Sequence, residues 1–387
     1  MRILSTAKRL AAGVAIAAVM SGAAMAQETI NIGFTGPLSG GAALYGQNTL
    51  TGLQMAAEEI NEAGGIEVGG ETYNFEIVSL DDKYAPSEAA VNAKRLATQY
   101  NAPVIFVPHS GGAFALQEFN EQDGFILGAY TSVPEMTARG NTMTLRIPPD
   151  FTGYFDTFAK TTMERSGTKL AMIGGDHDYA KTWASLFKPV WEAAGGTVVA
   201  ENPMSYNKDT DFYSGVSRAL AEEPDVLFVG GASEPTALVM RTARELGFQG
   251  GFIVMDQAKL DEIDRVIGDM TQLEGAIGVL PLSSDAREGA ADFVERFKAT
   301  HGDRIPGTET SYMYSALNAV AEAMKLAGTV DDPKAIMAQI GAGYDALPAE
   351  RNPANVDTVD ENGGTDAQIV VGYVQDGTIV PIESATQ

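Results

Sequence analysis

Two short stretches decide the fold. Pro103-Val104-Ile105-Phe106-Val107 is followed by a small-residue turn, a helix-length segment and the apolar run Phe125 to Tyr130. Pro224-Asp225-Val226-Leu227-Phe228-Val229 is followed by Gly230-Gly231-Ala232-Ser233, another helix-length segment and the run Phe252 to Asp256. The internal repeat predicts two similar α/β lobes, one centred near residue 90 and the other near residue 215.

The same alternation continues on either side of these stretches. Ile30 to Thr35 reads as a strand and Asn48 to Glu62 as a helix, with Leu50, Leu53, Ala57 and Ile60 on one face and Gly64-Gly65 ending it. Further strands are expected at Tyr73 to Leu80, Leu170 to Gly174 and Val198 to Pro203. Repeated β then α specifies parallel sheets with helices on both faces. Pro148-Pro149 and Pro281 interrupt the pattern where one lobe would cross to the other. Residues 285 to 342 read as mostly helical, with Tyr312, Ser315, Leu317, Val320 and Met324 in a partly amphipathic segment. Ala346 to Asp366 is loop-like, and Gln368 to Ile382 returns as a hairpin around Asp376-Gly377. The expected division is 27–147 with 280–350 as the first lobe and 148–279 with 351–387 as the second.

The 387 residues are 45% hydrophobic and 20% charged, enough apolar content for a sizeable core. With 26 Lys and Arg against 51 Asp and Glu, the formal charge of −25 opposes nucleic acid and anionic lipid as partners. Residues 1–26 have the pattern of an export signal: Arg2, Lys8 and Arg9, then an apolar run from Leu10 to Met20, then Ala24-Met25-Ala26 as a cleavage site. Cleavage after Ala26 removes three basic residues and lowers the charge to −28. The absence of Cys excludes disulfides, thiol catalysis, thiolate zinc sites and a lipid-modified cysteine tether. The expected address is therefore the periplasm, with no membrane insertion after cleavage.

The turn Gly36-Pro37-Leu38-Ser39-Gly40-Gly41 has neither dinucleotide nor phosphate-loop spacing, so no cofactor is expected. No G-x-S-x-G elbow occurs, and the histidines are His109, His177 and His301. His109-Ser110 are sequence neighbours, which usually point apart, and Asp176-His177-Asp178 on one turn suits a solvated loop better than a metal. Asp81-Asp82 reads as a solvated pair at a strand end. Neither catalytic nor metal-binding residues are expected.

In sheets of this kind ligands bind beyond the carboxyl ends of the strands, here the turns near 36–45, 108–113, 130–134, 176–180, 230–234 and 256–258. The segment Gly33-Phe34-Thr35-Gly36-Pro37-Leu38-Ser39-Gly40, then Tyr45-Gly46, Gly52-Leu53, Ala56-Ala57-Glu58-Glu59-Ile60-Asn61 and Gly64-Gly65-Ile66 resembles the opening of the type I periplasmic binding proteins of the leucine/isoleucine/valine group. The resemblance continues through Leu80-Asp81-Asp82, Val133-Pro134-Glu135-Met136-Thr137, Leu145-Arg146, Asp178-Tyr179, Lys208-Asp209-Thr210-Asp211-Phe212 and Pro224-Asp225, and spans Ile30 to about Leu326.

The resemblance implies two Rossmann-like lobes joined by a three-strand hinge, closure of the lobes on a small polar solute, and delivery of it to an inner-membrane ABC transporter permease by a monomer. The implied solute is an amino acid of branched-chain type or similar. Aromatic carboxylates, amides or urea-like ligands, or a sensory receptor role, are the alternatives. Carried over residue by residue, Ser110 faces the ligand carboxylate, Ser132 bonds the amino or carboxylate group, and Tyr130 contributes main-chain groups. Tyr45 and Tyr179 wall the two lobes, and Asp256 pairs with the ligand ammonium. The chain departs from the family at Tyr130, where a small residue is usual, at Ala232-Ser233-Glu234, where an aromatic is usual, and in lacking the family's disulfide.

Overall fold

The computed structural model describes residues 28–382, so the expected export segment and its cleavage site lie outside the described residues. Two sheets organise the chain. The first has the spatial order Ile66–Val68, Glu71–Asp81, Glu28–Gly36, Val104–Val107, Ile126–Ala129, Thr144–Arg146. Its strands pair in parallel except for the antiparallel edge strand Ile66–Val68. The second has the order Thr378–Ile382, Val371–Gln375, Ala276–Val279, Gly251–Val254, Val226–Val229, Lys169–Met172, Thr197–Glu201. It too is parallel, apart from the C-terminal hairpin.

The fully apolar strands are covered on both faces. In Val104–Val107, Val104 and Phe106 face the core built with helices Ala43–Glu62 and Thr308–Ala327, while Ile105 and Val107 face helices Pro86–Gln99 and Ser110–Gln117. The repeat obeys the same rule: Leu227 and Val229 enter one core, Val226 and Phe228 the other. Phe228 is buried against Trp183 at a ring-centroid distance of 5.3 Å and against Phe187 at 6.0 Å. Truncating such a ring costs about 3–5 kcal/mol. The predicted hairpin closes at Asp376 (φ 53°) and Gly377 (φ 68°), the paired left-handed conformation of a type I′ turn.

The chain passes between the sheets after Arg146, after Val279 and before Val371. The last passage falls later than the expected residue 350, because Ala354 and Val356 bury themselves in the first lobe's core and Gly364 bridges to Arg146. Within the expected loop, Val356–Val359 and Thr365–Ala367 form a two-stranded antiparallel ribbon. The first helix begins at Ala43, five residues earlier than its periodicity suggested. Among the described residues no helix is long and apolar enough to cross a membrane.

Candidate functional site

The strand ends of both lobes meet around a small polar cavity open to solvent on one side. All six residues singled out in the sequence line it: Tyr45, Ser110, Tyr130 and Ser132 from the first lobe, Tyr179 and Asp256 from the second. Tyr45 lies near the start of a helix, Ser110 begins one, Tyr130 and Ser132 follow Ile126–Ala129, Tyr179 opens Asp178–Ala193, and Asp256 follows Gly251–Val254.

Asp256 is the centre of the polar geometry. Its Oδ2 accepts from Ser132 Oγ at 2.5 Å, across the lobe boundary. Its Oδ1 accepts from Trp183 Nε1 at 3.2 Å and from the Tyr179 hydroxyl. Ser132 Oγ and Tyr179 Oη are themselves 2.8 Å apart. A carboxylate offers about four acceptor positions, so three donors from protein leave room for one more. Asp256 does not cap the next helix, whose N-cap is Lys259.

The other five of the six present hydroxyls and rings. Burial above all raises the Tyr45, Tyr130 and Tyr179 phenols well beyond their ordinary range, with nearby acidic groups adding to the effect. They serve as neutral donors and apolar walls. The Tyr45 and Tyr130 ring centroids are 6.2 Å apart, and Tyr312 lies 6.3 Å beyond Tyr130. The Ser110 hydroxyl meets Thr131 Oγ1 at 2.7 Å, beside the start of helix Ser110–Gln117, where unpaired backbone N–H groups favour an anion.

Six further residues share the lining: Tyr84, Pro108, His109, Thr131, Pro148 and Gln257. All but Tyr84 and Pro148 fall in turns the strand-end rule nominates. Applying that rule to strand Glu71–Asp81 would have added Tyr84. Lys83 and Tyr84 both have positive φ, 54° and 63°, a costly conformation for side chains of this size. Asp82 holds the turn by accepting from Tyr84 N at 2.8 Å, Thr35 Oγ1 at 3.1 Å and pairing with His109 Nε2 at 3.0 Å. Tyr84 then stacks on the His109 ring at 4.7 Å and accepts from Gln257 Nε2 across the cleft at 2.9 Å.

Asp82 is therefore fully buried, against the expectation of a solvated pair, because three donors replace its water. Asp81 is the outer member. Against the burial that would raise it, donors from Ser39 Oγ and the Leu38 and Lys83 amides lower its carboxyl, and the first two pin the glycine-rich turn. His109 Nδ1 accepts from Gly112 N, which leaves the ring no role as a base for Ser110. His177 caps the helix after it, and burial depresses its imidazole to about 4 despite Asp176. Among the described residues no three His, Cys, Asp or Glu side chains converge as metal ligands would.

Two parallel-sheet lobes, three passages between them and a polar cavity at their strand ends define a bilobal solute-binding protein. The chain belongs to the periplasmic binding protein family, whose model matches residues 29–378. It is 27% identical over 328 residues to the leucine-, isoleucine-, valine-, threonine- and alanine-binding protein of Pseudomonas aeruginosa, covering 84% of this chain and 86% of that one. It is 25% identical over 331 residues to the Leu/Ile/Val-binding protein of Escherichia coli K12, covering 85% and 87%. Among solved structures, the leucine binding protein of Thermotoga maritima superposes with a TM-score of 0.77 at 24% identity, over 92% of this chain and 98% of that one. A solute-binding protein of R. palustris in complex with benzoate superposes at 0.76 with 19% identity, over 92% and 95%. These two establish the shared fold.

Proposed function

We propose that this protein is the periplasmic component of an ABC importer, that it is exported with cleavage after Ala26, and that it carries an amino acid to the membrane permease as a non-catalytic monomer. The observation that carries the choice of solute is Asp256, a carboxylate in a cavity otherwise lined by neutral hydroxyls, amides, rings and the Asp82-bound His109. A solute leaving water for this cavity needs a cation for Asp256. An α-ammonium supplies it, and the α-carboxylate then reaches Ser110, Thr131 and the helix start beside them. The named ligands of the Pseudomonas and Escherichia relatives support an aliphatic amino acid.

Binding stabilises the closed arrangement that a transporter recognises. A bare aromatic carboxylate would instead set its charge against Asp256 with no countercharge in the lining. Thermal-shift screening against aliphatic amino acids, amides and aromatic carboxylates tests the reading. A true solute at a hundred times its Kd adds about 2.7 kcal/mol of stability, and a shift only with carboxylates lacking an amine would refute the assignment.

A further inference from the structure

A second polar cluster lies between the lobes, beyond the solute cavity. Asn48 of the first lobe donates through Nδ2 to Glu262 of the second at 2.6 Å and to Glu309 of its own lobe at 2.9 Å. Glu262 Oε2 also accepts from Ser233 Oγ at 2.5 Å, and that oxygen accepts from Lys259 N at 3.0 Å. Asn48, Ser233, Lys259, Glu262 and Glu309 are all buried. Lys259 Nζ lies 3.7 Å from Glu309 Oε2, yet its hydrogen bonds go to the carbonyls of Asp256 (2.5 Å) and Gln257 (3.1 Å). Glu309 Oε2 has no hydrogen-bond donor.

The charges do not balance. On the helix of Glu262, Arg265 pairs with Asp261 at 3.2 Å and reaches Glu262 only at 3.7 Å from a side chain 40% exposed. From the adjoining helix only Ser233 enters the contact; its Arg241 faces Glu245, and Arg244 holds backbone carbonyls. Strand Ala276–Val279 and the turn Met270–Leu273 bring no titratable side chain. From the first lobe come Glu309, the neutral phenol of Tyr45, and Arg304, an exposed residue that touches Asn48 Oδ1 at 3.4 Å. Two facing carboxylates thus share one fully buried cation, an arrangement relieved by adding a proton.

We propose that Glu262 and Glu309 form a proton-operated latch, so that closing the lobes takes up one proton from solvent. The proton bonds to Glu262 Oε2, which then donates to Ser233 Oγ in reverse of the ionised contact. Burial first, and then Glu309, push the Glu262 carboxyl up to about 8, whereas an exposed glutamate in separated lobes titrates near 4.3. Closure is therefore favoured most in acid and weakens as pH rises from the ordinary carboxylate range through neutrality. Above the raised value the penalty is constant. The proposal rests on lobe closure, as the proposed function does, but not on the identity of the solute.

The test uses the purified protein at pH 5.5, 6.5 and 7.5. Small-angle scattering without solute should show the radius of gyration of the wild type growing with pH. Calorimetric titration with L-leucine should show Kd rising by up to about tenfold per pH unit. Glu262→Gln, which mimics the protonated acid, should flatten both profiles at the acid value. Glu309→Gln relieves the same repulsion and should do likewise if the first variant folds poorly. A pH-independent scattering profile in the wild type, or one unchanged in both variants, overturns the latch. Failure of L-leucine to bind at any pH would count against the proposed solute, while scattering still decides the latch.

Discussion

Asp256→Asn is the substitution that most directly tests the site. It keeps the shape and one acceptor oxygen but removes the charge that a solute ammonium would meet. Truncating one member of a buried charged pair costs about 2–5 kcal/mol, which is about 30-fold to several thousand-fold in Kd. Asparagine is chosen over alanine for a structural reason. Ser132 and Tyr179, freed from Asp256, would bond each other in the alanine variant, but Trp183 Nε1 would lose its acceptor. A buried orphan donor costs about 1–3 kcal/mol, so Asp256→Ala would lower the unliganded melt. Calorimetry with the amino acid found by screening should therefore give a loss of at least 30-fold in Asp256→Asn, with a melting temperature close to wild type. Affinity within threefold of wild type would show that Asp256 meets no cation, and tighter binding would point to an anionic solute.

Further substitutions probe other links. Ser132→Ala removes a charge-assisted hydrogen bond that joins the lobes, and should weaken binding by about 10- to 150-fold with the melt lowered less than in Trp183→Ala; unchanged affinity would exclude Ser132 from closure. Tyr84→Phe retains the stack on His109 but loses the acceptor for Gln257, so calorimetry should read a loss of about 0.5–1.5 kcal/mol in affinity; a larger loss with a lowered melt would mean that the phenol supports the fold instead. Gly46→Ala drives a methyl group into the Pro37 carbonyl at the first helix, and thermal unfolding should show a destabilisation of about 1–3 kcal/mol; no change would mean that the glycine-rich turn yields freely.

The lining of the inter-lobe cavity was legible because open parallel sheets place their loops predictably. A strand such as Val226–Val229 announces its end by the glycines that follow, and knowing which ends face the partner lobe needs only the right-handed parallel topology. Charge pairing was less legible. Asp82 looks like any solvated acid in sequence; its burial depends on Thr35, Tyr84 and His109 converging from three different segments. Asn48, Glu262 and Glu309 are separated by 214 and 261 positions, and no local pattern marks a polar residue on a helix as facing another lobe. The late third passage was hidden for a similar reason: two small apolar residues, Ala354 and Val356, decide which core the segment joins.

The short segment from Asp256 to Lys259 joins the two polar centres through covalent structure. The Asp256 side chain faces the solute cavity, its carbonyl receives Lys259 Nζ, and the same ammonium faces Glu309 of the other lobe. Separating the lobes removes Ser132 from the Asp256 carboxylate and Glu309 from Lys259 together. A solute that replaces lost hydration at Asp256 therefore favours the geometry in which the acid pair is pressed together, and protonation of that pair favours the geometry that grips the solute. Such coupling is reciprocal: if protons tighten solute binding, solute must raise the affinity of the acid pair for its proton by the same factor. Proton uptake measured on adding solute should consequently vanish in Glu262→Gln even though the Asp256 site is intact, and its persistence there would place the titrating group elsewhere.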